Sequence, residues 1–172
     1  MDDLSERLFA HHVGGRWRVP LSEQLLPVAG ADGRQLGQIV LAGARDIARA
    51  QAVMRGADGP SQARLAQALE AISPALAEAV ACAEPAAAPV LLTTAPDDPA
   101  VFGAALGASL GQGGLWCPRP AAVVFAIRVA AAVDAADLPP GAFALLHALT
   151  PITAPLLKAT GLASSGGGHM QL

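Results

Sequence analysis

The stretch "GAALGASLGQGGLWCPRPAAVVF", residues 103–125, decides how the second half of the chain is read. Phe102, Ala105, Leu106 and Leu110 repeat at helical spacing, and Asp97 or Asp98 before Pro99 supplies a cap followed by a first-turn proline. The glycines at 111, 113 and 114 end that helix. "AAVVFAI", residues 121–127, then reads as a buried strand, and residues 128–137 as a further helix closed by "DLPPG". With "APVLLTTA" as a short apolar strand before residue 97, the order is strand, helix, strand, helix, which predicts an α/β or α+β protein.

Working back toward the N-terminus, "HHVGGRWRVP" reads as extended around a Gly14-Gly15 turn, and Ala31-Asp32-Gly33 joins "LLPVA" to "LGQIVLA" as a hairpin. Ile47, Ala50, Met54 and Ala57 set a helix over residues 44–57. Gly59-Pro60-Ser61 opens another, whose stripe of Leu65, Leu69, Ile72, Leu76 and Val80 is core or interface. Pro74 splits or kinks that helix, with Ser73 able to cap the second part. "AFALLHAL", residues 142–149, fits either strand or helix, Pro151 to Thr160 reads as a last short helix, and residues 164–172 read as a flexible tail.

Composition narrows the function. The 172 residues are 53% hydrophobic but only 3% aromatic, so the core is built from small side chains. A net charge of −3 offers no basic field for nucleic acid. Mean hydropathy is +0.44, yet the long uncharged stretch from Leu138 to Leu157 holds His147 and four prolines, which argues against a membrane span. The acidic, polar "MDDLSERLF" is no signal peptide. Two cysteines, Cys82 and Cys117, are too few for a disulfide scaffold, and a reducing cytoplasm is the expected compartment. No metal site is expected: His11, His12, His147 and His169 lie in separate segments without carboxylate spacing. "GASLGQGG", residues 107–114, follows a helix rather than a strand, so it lacks the context of a phosphate loop. Cys82 reads as a core filler.

Several of these stretches together resemble the aldehyde dehydrogenase family. "VGGRWRVP", "VAGADGRQLGQIVLAGARDIARAQAVMRGA" and "GPSQARLAQALEAISPALAEAVA" follow the opening of that family in order and spacing: a small hairpin, a Gly-Gly-x-Trp element, an "x-G-x-x-[LIV]-G" turn, and helices. "EPAAAPVLL" resembles its Glu-Leu-Gly-x-x-x-Pro segment, one residue short. "GAALGASLGQGGLWCPRPAAVVF" resembles its helix, glycine turn and nucleophilic cysteine, closest in flavour to the 2-oxoglutarate semialdehyde dehydrogenase branch. The resemblance implies an N-terminal hairpin-and-helix segment, residues 1–80, joined to a partial catalytic α/β segment, residues 81–163.

The same resemblance implies oxidation of a small aldehyde to an acid with NAD or NADP, through a thioester on Cys117, with Glu84 as general base. The sequence also departs from the family. The long nucleotide-binding segment that should separate Val80 from Glu84 is missing. The chain has no asparagine to complete an oxyanion hole, and its single lysine, Lys158, lies where the family does not use one. Loss of one oxyanion donor costs about two to three decades in rate. The expectation is therefore an impaired, shortened form that holds NAD(P) weakly or not at all. Two alternatives stand beside it. One is a non-catalytic relic or assembly module, docking on a second copy or a full-length relative through its apolar helix stripe. The other is a thiol carrier or redox sensor built on Cys117.

Overall fold

The computed structural model describes residues 3–30, 32–92, 97–148 and 163–164. The elements run α1 (Asp3–Leu8), β1 (His11–His12), β2 (Trp17–Arg18), β3 (Leu25–Ala29), β4 (Gln35–Val40), α2 (Ala44–Val53), α3 (Gly59–Leu69) and α4 (Pro74–Ala81). They continue with β5 (Val90–Leu92), α5 (Pro99–Ser109), β6 (Gly114–Trp116), a 3₁₀ turn (Pro120–Ala122), α6 (Val123–Ala135), β7 (Phe143–Leu145) and β8 (Ala163–Ser164). The expected α/β class holds. The expected last helix over Pro151–Thr160 lies outside the described residues, as do Lys158, His169 and all of the expected tail except Ser164.

One sheet carries the order β2-β1-β7-β6-β5-β8. β5, β6, β7 and β8 are parallel, and β1 runs antiparallel to both β7 and β2. The N-terminal segment therefore adds its strands to the edge of the sheet formed by the second half. β3 and β4 make the expected hairpin as a separate two-stranded ribbon.

Register assigns the faces. His12, Leu145, Trp116 and Leu92 stand level across four strands, so their side chains share one face. That face meets α3, α4, α5 and α6 in the main core, which includes Leu65, Leu69, Leu76, Val80, Phe102 and Leu106. The opposite face, with Leu115, Ala144 and Leu146, packs on Ile47 and Ala50 of α2. The stripe of α3 and α4 is consumed by the chain's own core, so the docking role considered for it is corrected.

Local signals explain the helix boundaries. Asp98 caps α5, accepting from the Ala100 and Val101 amides, with Pro99 in the first turn. Ser73 caps α4 in the same manner, so Pro74 starts a new helix rather than kinking an old one. α2 stops at Val53, short of the expected residue 57, because tertiary bonds take its backbone. The Arg55 amide donates to the Gly141 carbonyl at 3.1 Å and the Ala57 amide to Leu110 at 2.7 Å.

The expected strand at 121–127 is also corrected. Those residues enter α6, where Val123, Ala126, Ile127, Val129, Ala130, Ala132 and Val133 are all buried. A helix buried over most of its circumference is apolar at nearly every position, and periodicity cannot then separate it from a strand. The ambiguous "AFALLHAL" resolves as strand β7. Among the described residues no helix is long and apolar enough to cross a membrane.

Candidate active site

Cys117 directly follows β6, whose three residues are fully covered. It turns away from Trp116, to the α2 face, and packs on the cluster containing Val13, Ile47, Leu115 and Leu146. The residue is half-buried. Its surroundings are apolar, and burial pushes the thiol from the ordinary 9.0 up to about 12. Partial contact with solvent makes that an upper bound. The nearest cation in sequence, Arg119, is engaged by Asp97 at 2.5 Å. No hydrogen bond reaches the sulfur among the described residues. Nucleophilic thiols require a cation, a helix N-terminus or a base to hold the thiolate, and Cys117 has an apolar wall instead.

Glu84 is exposed on the loop between α4 and β5. Its neighbours anchor that loop to the end of α5. The Ala86 amide donates to the Ala108 carbonyl at 2.8 Å, and Pro85 lies against Gly111. The end of α5 leads into the start of β6, whereas Cys117 lies past its finish. The two residues are thus at opposite ends of a strand, roughly 10 Å apart along its rise. The structure does not bring them together. Cys82, expected in the core, is exposed at the C-cap of α4.

The glycines around residue 107 are occupied by helix packing. A Cβ on Gly103 would come within 2.8 Å of the Leu76 carbonyl, and one on Gly107 within 2.7 Å of the Val80 carbonyl. On Gly111 it would approach Pro85 at 2.8 Å. Glycine is tolerated in mid-helix here because it lets α5 lie against the backbone of α4. α4 and β5 are joined by a short loop, where a nucleotide-binding segment would have to be inserted. Gly103, Gly107 and Gly111 are therefore not free to cradle a pyrophosphate. Among them no group of three histidine, cysteine or acidic residues could hold a metal ion.

The buried histidines form the polar centres that sequence reasoning passed over. His11 and His147 meet edge to face with ring centroids 5.8 Å apart. The His11 Nε2–H donates to the Val40 carbonyl at 3.1 Å, and its Nδ1 lies 3.7 Å from Asp46. Asp46 is fully buried, accepts from the Leu21 amide at 2.8 Å and pairs with Arg49 at 2.9 Å. Both ring nitrogens of His147 lack a hydrogen-bond partner among the described residues. The Arg7 backbone favours the charged form of the His147 ring, but burial outweighs it. On the other face, His12 Nε2–H donates to Asp134 at 2.6 Å, and the Trp17 indole N–H donates to the second oxygen of the same carboxylate at 3.0 Å. The only signal in the sequence was the doublet His11-His12 inside an extended segment, which puts one ring on each face.

At the sequence level no family model and no curated protein matches the chain. The fold, by contrast, is shared with aldehyde dehydrogenases of known structure. Aldehyde dehydrogenase C from Pseudomonas syringae, solved with NAD+ and octanal, superposes with a TM-score of 0.72 at 17% identity, over 90% of this chain and 44% of that one. An aldehyde dehydrogenase from Bartonella henselae gives 0.66 at 16% identity, over 87% and 44%. The delta-pyrroline-5-carboxylate dehydrogenase of Mycobacterium tuberculosis gives 0.63 at 15% identity, over 91% and 41%. The chain thus spans less than half the length of these structures.

Proposed function

We propose that this chain is an aldehyde dehydrogenase relative whose nucleophile position, Cys117, has become chemically silent. The reaction of its ancestry is oxidation of an aldehyde, in the class of keto-acid semialdehydes, to a carboxylic acid with NAD or NADP through a cysteine thioester. That reaction is impaired here, as in a pseudoenzyme. The observation that carries the reading is the thiol itself: on the shared fold it packs in an apolar wall, and burial raises it toward about 12. Glu84, assigned as base by resemblance, stands apart from it and is exposed. A raised thiol also argues against a carrier or redox sensor, which needs thiolate at neutral pH.

The test is incubation of the purified chain with aldehydes and NAD+ or NADP+. No reduced cofactor above a Cys117→Ser control is expected. Turnover that disappears in Cys117→Ser would overturn the proposal. The second reading is an assembly module, docking on a second copy or a full-length relative. It is favoured by Val19, 82% exposed, with Leu21 and the first residue of β3, Leu25, also exposed. Association in sedimentation velocity supports that reading, and a monodisperse monomer removes it.

A further inference from the structure

A cavity of about 280 Å³ opens between the Gly14-Gly15 turn and the C-terminal end of α6, lined in part by Arg16, Trp17, Asp134, Asp137 and Phe143. It lies on the His12 face of the sheet, away from Cys117. Its wall is organised by the bonds already described: Asp134 is gripped by the His12 ring and the Trp17 indole. Burial opposes the charge of Asp134. The hydrogen bonds and the nearby positive groups outweigh it, so the carboxyl is held below its usual range.

Asp137 has φ of 49°, the one non-glycine residue with positive φ among those described. It takes the position just past α6 where glycine or asparagine is usual. Arg64 donates to the Ala136 carbonyl at 3.0 Å and so satisfies the end of that helix. Among the described residues the exposed Asp137 carboxylate has no hydrogen-bond or ion-pair partner, and neither has the exposed Arg16 guanidinium, although both line the same cavity. Two carboxylates at the negative end of a helix favour an incoming cation, while an unpaired guanidinium in the same wall favours an anion.

We propose that this cavity binds a small zwitterion of the α-amino acid class. Its ammonium lies at Asp137 and Asp134, its carboxylate at Arg16, and its short apolar side chain against Trp17 and Phe143. A simple cation would add to two positive charges already there, Arg16 and the Arg7 guanidinium that lies over Trp17 and acts on Asp134. A simple anion would face two carboxylates. The volume sits just below the range of drug-sized pockets and suits a molecule of a few carbons. The inference does not depend on whether Cys117 retains any chemistry.

The experiment titrates the full chain with L-valine, isobutylamine and isovalerate, read by calorimetry and by the fluorescence of Trp17. Isobutylamine is valine without its carboxylate, and isovalerate is valine without its ammonium. L-valine is expected to bind about tenfold or more tighter than either half, the worth of one charge-assisted contact. Arg16→Gln and Asp137→Asn should each weaken valine about tenfold while keeping the folded circular dichroism spectrum, since asparagine tolerates the backbone at residue 137. No saturable valine signal, or isobutylamine or isovalerate binding as tightly as valine, would overturn the assignment.

Discussion

Acidification from pH 7 to pH 5 should destabilise this protein chiefly through His147. The ring is 1% exposed. It is faced by His11, behind which stand Asp46 and Arg49. Burial first, and then the positive charge of His11, push its pKa from 6.5 down to about 3. Between those two values the unfolded chain holds a proton that the folded chain refuses. The stabilising contribution is therefore complete above about 6.5 and is lost as pH falls toward 3. At pH 5 the loss from this one ring is about 2 kcal/mol. His11, also lowered by burial, adds to it in the same direction. The assay is urea unfolding at pH 7 and pH 5 for the wild type and for His147→Leu, which has nothing to titrate at that site. The variant should lose about 2 kcal/mol less than the wild type over this interval. Equal stability of the wild type at both pH values, or the same pH slope in the variant, would refute the reasoning.

Gly107→Ala should cost about 1–3 kcal/mol despite alanine's better helix propensity, because the added methyl meets backbone and forces α4 from α5. Its Cβ would stand 2.6 Å from that of Ala83. Gly59→Ala, where nothing lies within 4 Å, is the control and should be near neutral in thermal denaturation. Asp134→Ala should cost about 1–3 kcal/mol by leaving the buried His12 donor without its acceptor, visible in denaturation together with a shift in Trp17 emission. Iodoacetamide at neutral pH should modify exposed Cys82 well before Cys117. A rise from 9.0 toward about 12 lowers the thiolate fraction by at most about 1,000-fold. Equal labelling of both cysteines in peptide mass spectrometry would contradict the apolar wall around Cys117.

Much of the local structure was legible because its signals are local. The Asp98–Pro99 cap, the Ser73–Pro74 restart, the Gly14-Gly15 turn and the β3–β4 hairpin each follow from a few adjacent residues whose backbone preferences agree. The same holds for the likeness to aldehyde dehydrogenases, which was carried by spaced motifs and is matched by the fold. "AAVVFAI" misled because a helix buried on most sides has no polar face to reveal its period. Cys82 misled because its exposure at the C-cap of α4 is set by how the helix end sits in the fold, which no local signal encodes.

By itself, the sequence determined where the chain turns, where most helices begin, and that a cysteine would follow a glycine-rich bend. Tertiary structure decided what those residues are for. It spent the glycines of α5 on contact with α4, set Glu84 at the far end of β6 from Cys117, and gathered His12, Trp17 and Asp134 from separate segments around one cavity. The reason is physical: caps and turns depend on the dihedral angles of a few neighbouring residues, whereas a thiol's charge and a cavity's shape depend on atoms that only folding brings together.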